Sequence, residues 1–317
     1  MKLVSFCILI LFVFTGCKQT DDYFDKNFGI EQITTGADLS EGPAFDSFGN
    51  LFFSDQPNNR ILKYTVQGDQ QLYLEPAGVA NGLMFDYEGR LVMCQSNSGN
   101  FPEDTTAGKR RIARIEQDGS VTTLTDSFKG KPLIGPNDIC MDPRGRIYFT
   151  DPYYPNPVVV KTQENSGVYR IDSIGYIEQI ISNLEKPNGI MVSPDGRLLF
   201  VSDRGTQKLH RYFIHDDGSV EHQKVVYDFS PDRGIDGMAM DSRGLIYGAA
   251  GEGETTGVYV LDPVNNKILD VIYTPEKAYN VAFGGNDKKD LYVAAGGSIY
   301  MVRTVNEGLI LPHPKFE

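Results

Sequence analysis

The stretch Pro136-Asn137-Asp138-Ile139-Cys140-Met141-Asp142-Pro143-Arg144-Gly145-Arg146-Ile147-Tyr148-Phe149-Thr150-Asp151 reads as a strand, a tight turn and a second strand. Apolar residues alternate after Asn137, Pro-Arg-Gly supplies the turn, and a β-branched and aromatic run follows. The pattern recurs. Glu41-Gly42 leads to Asp46, Gly49 and Leu51; Asn81-Gly82 leads to Asp86, Gly89 and Leu91. Asn137-Asp138 leads to Asp142, Gly145 and Ile147; Asn188-Gly189 to Ser193, Gly196 and Leu198; Asp236-Gly237 to Asp241, Gly244 and Ile246. A sixth copy, Asn280-Val281, degrades into Phe283-Gly284-Gly285 and reaches Leu291 one residue late. A unit that returns every roughly forty to fifty residues and holds strands rather than helices marks propeller blades or a solenoid. Six copies predict an all-β, six-bladed β-propeller.

Each repeat divides into four antiparallel strands. In the first, 42–45 is the inner strand, followed by 50–54, 60–66 and 70–75, and later repeats keep this order. The sixth supplies only three, ending at 298–303, because 309–314 is broken by Pro312 and Pro314. Residues 29–34 form an unassigned strand-like piece ahead of the first repeat. They are predicted to be the missing outer strand of the last blade, which closes the ring and leaves no long open edge. The propeller then spans 29–311, with 312–317 as a tail. Two insertions, 97–110 and 153–166, interrupt the second and third repeats and are expected to wall the mouth of the central channel.

At 317 residues the even spread of the repeat favours one domain, and 40% hydrophobic content with 33 glycines fits a turn-rich globular β protein rather than a disordered chain. The net charge of −12 argues against nucleic acid, which needs a basic stripe that no stretch supplies. Residues 1–16 read as a cleaved leader: Lys2 starts it, and the apolar run to Phe14 is short for a bilayer span. It ends Phe14-Thr15-Gly16-Cys17, which resembles a bacterial lipobox, with Cys17 as the lipidated residue; ordinary cleavage is the alternative. Residues 17–28 would be a tether, and the expected location is extracytoplasmic, on a bacterial membrane through the lipid alone. Cys94 and Cys140 read as two buried free thiols, a bridge between blades being the other option.

The leading polar residues Glu41, Asn81, Asn137, Asn188, Asp236 and Asn280 each stand just before an inner strand, so all fall at one end of the ring, toward its axis. Two carboxylates and four carboxamides make an oxygen-only set, which suits a hard cation, Ca²⁺ better than Mg²⁺. The alternative is that such residues only cap turns, as the repeated Asp46, Asp86, Asp142 and Asp241 do. Arg110 and Arg111 read either as a solvated strand-start pair or as contacts to a hydroxylated or anionic substrate. A Ser-His-Asp triad has little support, because the four histidines are His210, His215, His222 and His313.

Several of these motifs together resemble the gluconolactonase/regucalcin (senescence marker protein) family. They are Glu41-Gly42-Pro43, the 136–152 block, Lys186-Pro187-Asn188-Gly189, Ser193-Pro194-Asp195-Gly196, Ile235-Asp236-Gly237-Met238 and 280–285. Residues 108–114 and 128–131 are similar to its bacterial gluconolactonase branch, and the likeness covers about 29–305. The resemblance implies a six-bladed propeller with a catalytic divalent ion, usually Ca²⁺, with Zn²⁺ or another ion as the alternative. It implies Glu41, Asn137, Asn188 and Asp236 as metal ligands and Asp236 as general base. Asn137, Asn81 and Arg111 are the candidate substrate contacts. The chain departs from the family at Gly135, where animal lactonases have arginine and the bacterial branch commonly serine. The expected activity is hydrolysis of a small sugar lactone such as glucono-1,5-lactone by a monomer. An organophosphate-type hydrolase and a non-catalytic, metal-plugged propeller binding glycan or peptide remain open.

Overall fold

The computed structural model describes residues 22–97, 99 and 107–310. The leader, Cys17 and the tail at 312–317 lie outside them. Six four-stranded antiparallel sheets stand around an axis, and all but the last run in chain order from an inner to an outer strand. The first consists of Ser40–Phe45, Leu51–Asp55, Arg60–Tyr64 and Gln70–Leu74. Burial falls outward along it: every residue of Ser40–Phe45 is buried, whereas most of Gln70–Leu74 is exposed. The last sheet is built from Ala278–Gly284, Asp290–Ala295 and Ser298–Arg303, and Ile30–Thr35 completes it by pairing with Ser298–Arg303. The ring is thus closed by backbone hydrogen bonds between the two ends of the chain, as the sequence predicts.

Blades meet through apolar faces. Between the second and third, Met84, Cys94 and Ile112 pack with Ile139, Phe149 and Tyr169. Each fully buried large side chain there contributes roughly 1.5–3 kcal/mol. Cys94 and Cys140 are free and buried, and burial pushes both thiols up. The repeated aspartates serve the turns. Asp46 Oδ1 accepts the amides of Phe48 and Asn50 at 2.9 and 2.8 Å, and Asp86, Asp142 and Asp241 repeat the arrangement.

The glycine that follows most of the leading polar residues has a packing reason. A Cβ on Gly189 would lie 2.1 Å from the carbonyl oxygen of Asp236, and one on Gly82 would lie 2.7 Å from that of Asn137. Only a residue without a side chain lets the next blade come this close. Gly189→Ala is therefore expected to cost about 1–3 kcal/mol by overpacking and to displace Asp236. An unchanged thermal midpoint would contradict the close approach.

Two features depart from the sequence expectation. The tether expected at 17–28 is ordered into the fold from Tyr23: Tyr23 and Phe24 are buried against the last two blades, and Phe24 meets Tyr247 edge-on at 5.9 Å. The Asp25 amide donates to the Arg303 carbonyl at 2.8 Å, so this segment continues the edge that Ile30–Thr35 covers. Two large apolar side chains in an otherwise polar stretch are the reason. A hairpin, Ser127–Phe128 with Lys131–Pro132, also stands outside the blades, with Lys129 and Gly130 at φ 50° and 74° as its turn.

The two ends of the axis differ. The Asp turns lie at one end, where residues 306–310 cross them. Asn306 donates to Asp241 at 2.9 Å, the Leu309 amide donates to the Met240 carbonyl at 2.8 Å, and Leu309 and Ile310 border the apolar channel. The leading polar residues lie at the other end.

Candidate active site

Glu41, Asn81, Asn137, Asn188 and Asp236 come from five different blades and line one cavity of about 320 Å³. Each stands at or just before the start of its inner strand, so the ring geometry alone brings them together. The sixth, Asn280, lies deeper, where it borders the channel and its side chain hydrogen-bonds Glu41 and Asp138. Arg111 is not among the residues lining the cavity. It sits at the start of the third strand of its blade, where its guanidinium donates to Gln95 and Thr123, each at 2.5 Å. The solvated-pair reading describes it better than a substrate contact does. Both insertions reach the mouth. Asn97 and Gly99 come from the first, Tyr154, Pro155, Asn156 and Val159 from the second, and the Asn156 amide donates to the Gly99 carbonyl at 3.0 Å.

The second strands buttress this ring. Ser54 donates to the Asn81 carbonyl at 2.9 Å and Thr150 to the Asn188 carbonyl at 2.8 Å, so a hydroxyl in one blade fixes the backbone of the polar residue in the next. The following aspartate holds the loop that leads into its own inner strand. Asp55 accepts the Asp38 amide at 3.0 Å, Asp151 those of Ile134 and Gly135 at 2.9 and 2.6 Å, and Asp203 those of Glu185 and Lys186 at 3.1 and 2.8 Å. Gly135 closes the space that a side chain there would need: its Cβ would lie 2.3 Å from Asn97 Nδ2. Asn97 therefore occupies the wall at the position where the sequence departs from the family.

The fifth blade has Ala250 where the first, third and fourth have this aspartate, and an arginine takes over. Arg233, 5% exposed, donates through Nε to the Gly251 carbonyl at 2.5 Å, through Nη2 to the Ala278 carbonyl, and through Nη1 to Asp236 Oδ2 at 3.0 Å. Arg204, on the cavity wall, donates to the same oxygen at 2.5 Å. Both guanidiniums thus engage the same oxygen of Asp236. Tyr154 does the same for Asn188: the amide nitrogen donates to the phenol oxygen at 2.9 Å, which turns the amide oxygen away from Tyr154. Sequence reading missed Arg204, Arg233, Asp138 and Tyr154.

Burial and mutual repulsion raise two carboxyls at this end of the axis. Glu41 is pushed up to about 8, first by burial, then by the charge of Asp236, although the Gly42 amide opposes this at 2.9 Å. Asp138 rises to about 7, again mainly through burial. Among the described residues no group of three or more His, Cys, Asp and Glu suited to a metal occurs, so an ion in this cavity would need carboxamide oxygens as well. Glu41, Asn137, Asn188 and Asp236 offer such a set, and the fit is chemically sound for a hard divalent ion.

A pH prediction follows from these shifts. Above pH 6.5, where the lowered His210 is already neutral, native Glu41 and Asp138 still hold protons that the unfolded chain released near pH 4. The native state binds more protons, so stability of the cation-free protein should fall as pH rises from 6.5 to 8. The check is a thermal midpoint series in chelator; a midpoint that rises over this window would refute the assignment.

Relatives share the fold. A gluconolactonase of Zymomonas mobilis subsp. mobilis is 27% identical over 316 residues, covering 91% of this chain and 85% of its own. A pentonolactonase of Haloferax volcanii is 24% identical, covering 84% of each. The solved structure of a gluconolactonase from Xanthomonas campestris superposes with a TM-score of 0.76 at 27% identity, over 87% of this chain and 89% of that one. The family model described as the SMP-30/Gluconolactonase/LRE-like region matches residues 39–297, and the chain belongs to that family.

Proposed function

We propose that this protein is a divalent-metal-dependent hydrolase, with Ca²⁺ as its ion, that opens a sugar lactone such as glucono-1,5-lactone. The observation that carries the reading is the convergence of Glu41, Asn81, Asn137, Asn188 and Asp236 from five blades on one cavity, in a chain whose relatives are lactonases. Glu41, Asn137, Asn188 and Asp236 would hold the ion, which when bound supplies Lewis-acid polarisation of the lactone carbonyl.

The rest of the chemistry belongs to the chain. Arg204 and Arg233 hold Asp236 through Oδ2, so its orientation is fixed and its other oxygen is available to accept a proton. Water oxygen bonds to the carbonyl carbon, its proton passes to Asp236, the ring C–O bond breaks, and the proton goes on to the departing alkoxide. The product is the open hydroxy acid. Asp236 meets two guanidiniums, and Glu41 and Asp138 are buried carboxyls with raised pKa. A bound divalent ion would favour their ionised forms and add positive charge at the carbonyl, which suits a developing oxyanion. Asn81 and Asn137 offer hydrogen bonds to ring hydroxyls. Cys17, if lipidated, would hold the enzyme on the outer side of a bacterial membrane.

The test is acid release from a lactone panel by residues 18–317, with chelator, then with Ca²⁺ or Zn²⁺ restored. Loss with chelator and recovery with one ion supports the reading. Activity indifferent to chelator overturns the metal role, and turnover of a phosphotriester alone overturns the substrate class.

A further inference from the structure

A second concavity adjoins the first. It encloses about 390 Å³, and Pro155 borders both. The 153–166 insertion forms the partition, and its consecutive tyrosines serve different sides: Tyr154 lines the first cavity and Tyr153 the second. The annex is walled by Lys161, Asn165, Ser182, Asn183 and Lys186 besides Tyr153. This is an aromatic face with amides, a hydroxyl and cations, the composition that holds a sugar ring rather than an apolar ligand.

Charge narrows the ligand. The Lys161 ammonium lies over the Tyr153 ring at 5.7 Å and that of Lys186 over the Tyr154 ring at 5.8 Å. Glu185 is the one acid on this wall, so the two lysines outnumber it. In a chain of net charge −12, this spot carries an excess positive charge beside the candidate site. Two lysines against the single carboxylate of Glu185, with a ring at the far side of a shared residue, suit an anionic substituent that extends from a molecule seated in the first cavity.

We propose that the annex is a second sugar subsite, and that the preferred substrate is an aldonolactone carrying an acidic glycosyl unit, a uronosyl residue whose carboxylate meets Lys161 and Lys186. Tyr153 covers the apolar face of that unit, and Asn165, Ser182 and Asn183 meet its hydroxyls. The proposal rests on the lactonase reading and names the substrate class for it. The reaction that supplies such a substrate is oxidation of the reducing end of an acidic disaccharide, and the product is a dicarboxylate.

The experiment compares glucono-1,5-lactone, its neutral glucosyl-extended form and its glucuronosyl-extended form, in the wild type and in Lys161→Gln/Lys186→Gln. Binding of the ring-opened acids is measured alongside by calorimetry. The acidic disaccharide lactone should exceed glucono-1,5-lactone in kcat/KM by about tenfold or more, as expected for charge-assisted hydrogen bonds. In the double variant this ratio should fall to near one, and the tighter binding of the acidic disaccharide acid should disappear with it. A ratio near one in the wild type, an equal gain from the neutral extension, or a preference that survives the double variant overturns the proposal. If no lactone is hydrolysed, the lactonase reading fails, and the calorimetric comparison still decides the annex.

Discussion

Asp236→Asn should lower kcat by roughly 10²–10⁴, the range for loss of a general base, while the propeller stays folded. From sequence alone the amide is expected to keep an oxygen for the ion and so to preserve ion binding. The two arginines change that expectation. Arg204 and Arg233 both donate to Oδ2, and donors demand an acceptor, so the single amide oxygen will turn toward them. The NH₂ group then faces the cavity, where it repels a cation. Ion affinity and turnover should fall together, read by calorimetric ion titration beside the rate. A near-wild-type rate would move the base elsewhere; full ion affinity with lost turnover would mean that the arginines do not set the orientation of residue 236.

The second large effect falls on Arg233→Met. The side chain is 4% exposed and links Asp236 to the Gly251 and Ala278 carbonyls, so its removal takes the guanidinium from two backbone acceptors and leaves the buried Asp236 carboxylate with Arg204 alone. Breaking a buried pair in this way costs about 3–5 kcal/mol. At roughly 2–4 °C per kcal/mol for a chain of this size class, the thermal midpoint should drop on the order of 10 °C. Burial already lowers the Arg233 pKa while Asp236 opposes the shift, which shows how much the guanidinium depends on its partner. Arg233→Lys should recover only part of the loss, because an ammonium cannot span three acceptors in the planar fork that arginine supplies. A midpoint within about 1 °C of the wild type would refute the linking role.

The blade count, the closure by Ile30–Thr35 and the placing of Glu41, Asn81, Asn137, Asn188 and Asp236 could all be read from the repeat. Periodicity carries this information because a fixed offset within each blade becomes a fixed position on the ring. What breaks the repeat could not be read. Arg204 and Arg233 belong to no shared offset, and their partner lies three to thirty-two residues away, so nothing local marks them. Asp138 stands where most repeats have glycine and looks like a variant of a turn residue, yet its backbone position buries it in the channel. Tyr23 and Phe24 were hidden by their polar neighbours. Arg111 misled for the opposite reason: a basic pair beside an insertion resembles a ligand contact, but strand pairing points its guanidinium along the blade toward Thr123.

The chain enters and leaves the propeller at the same end. Tyr23 packs beside Arg243 and pairs with Val305, and Leu309 sits under Met240, all at the Asp-turn face, whereas the cavity opens at the opposite pole. A tie made next to either end of the described chain, at Tyr23 or Leu309, would hold the propeller by its base with the mouth pointing outward. Enzyme immobilised that way should therefore present its cavity to dissolved substrate rather than to the support.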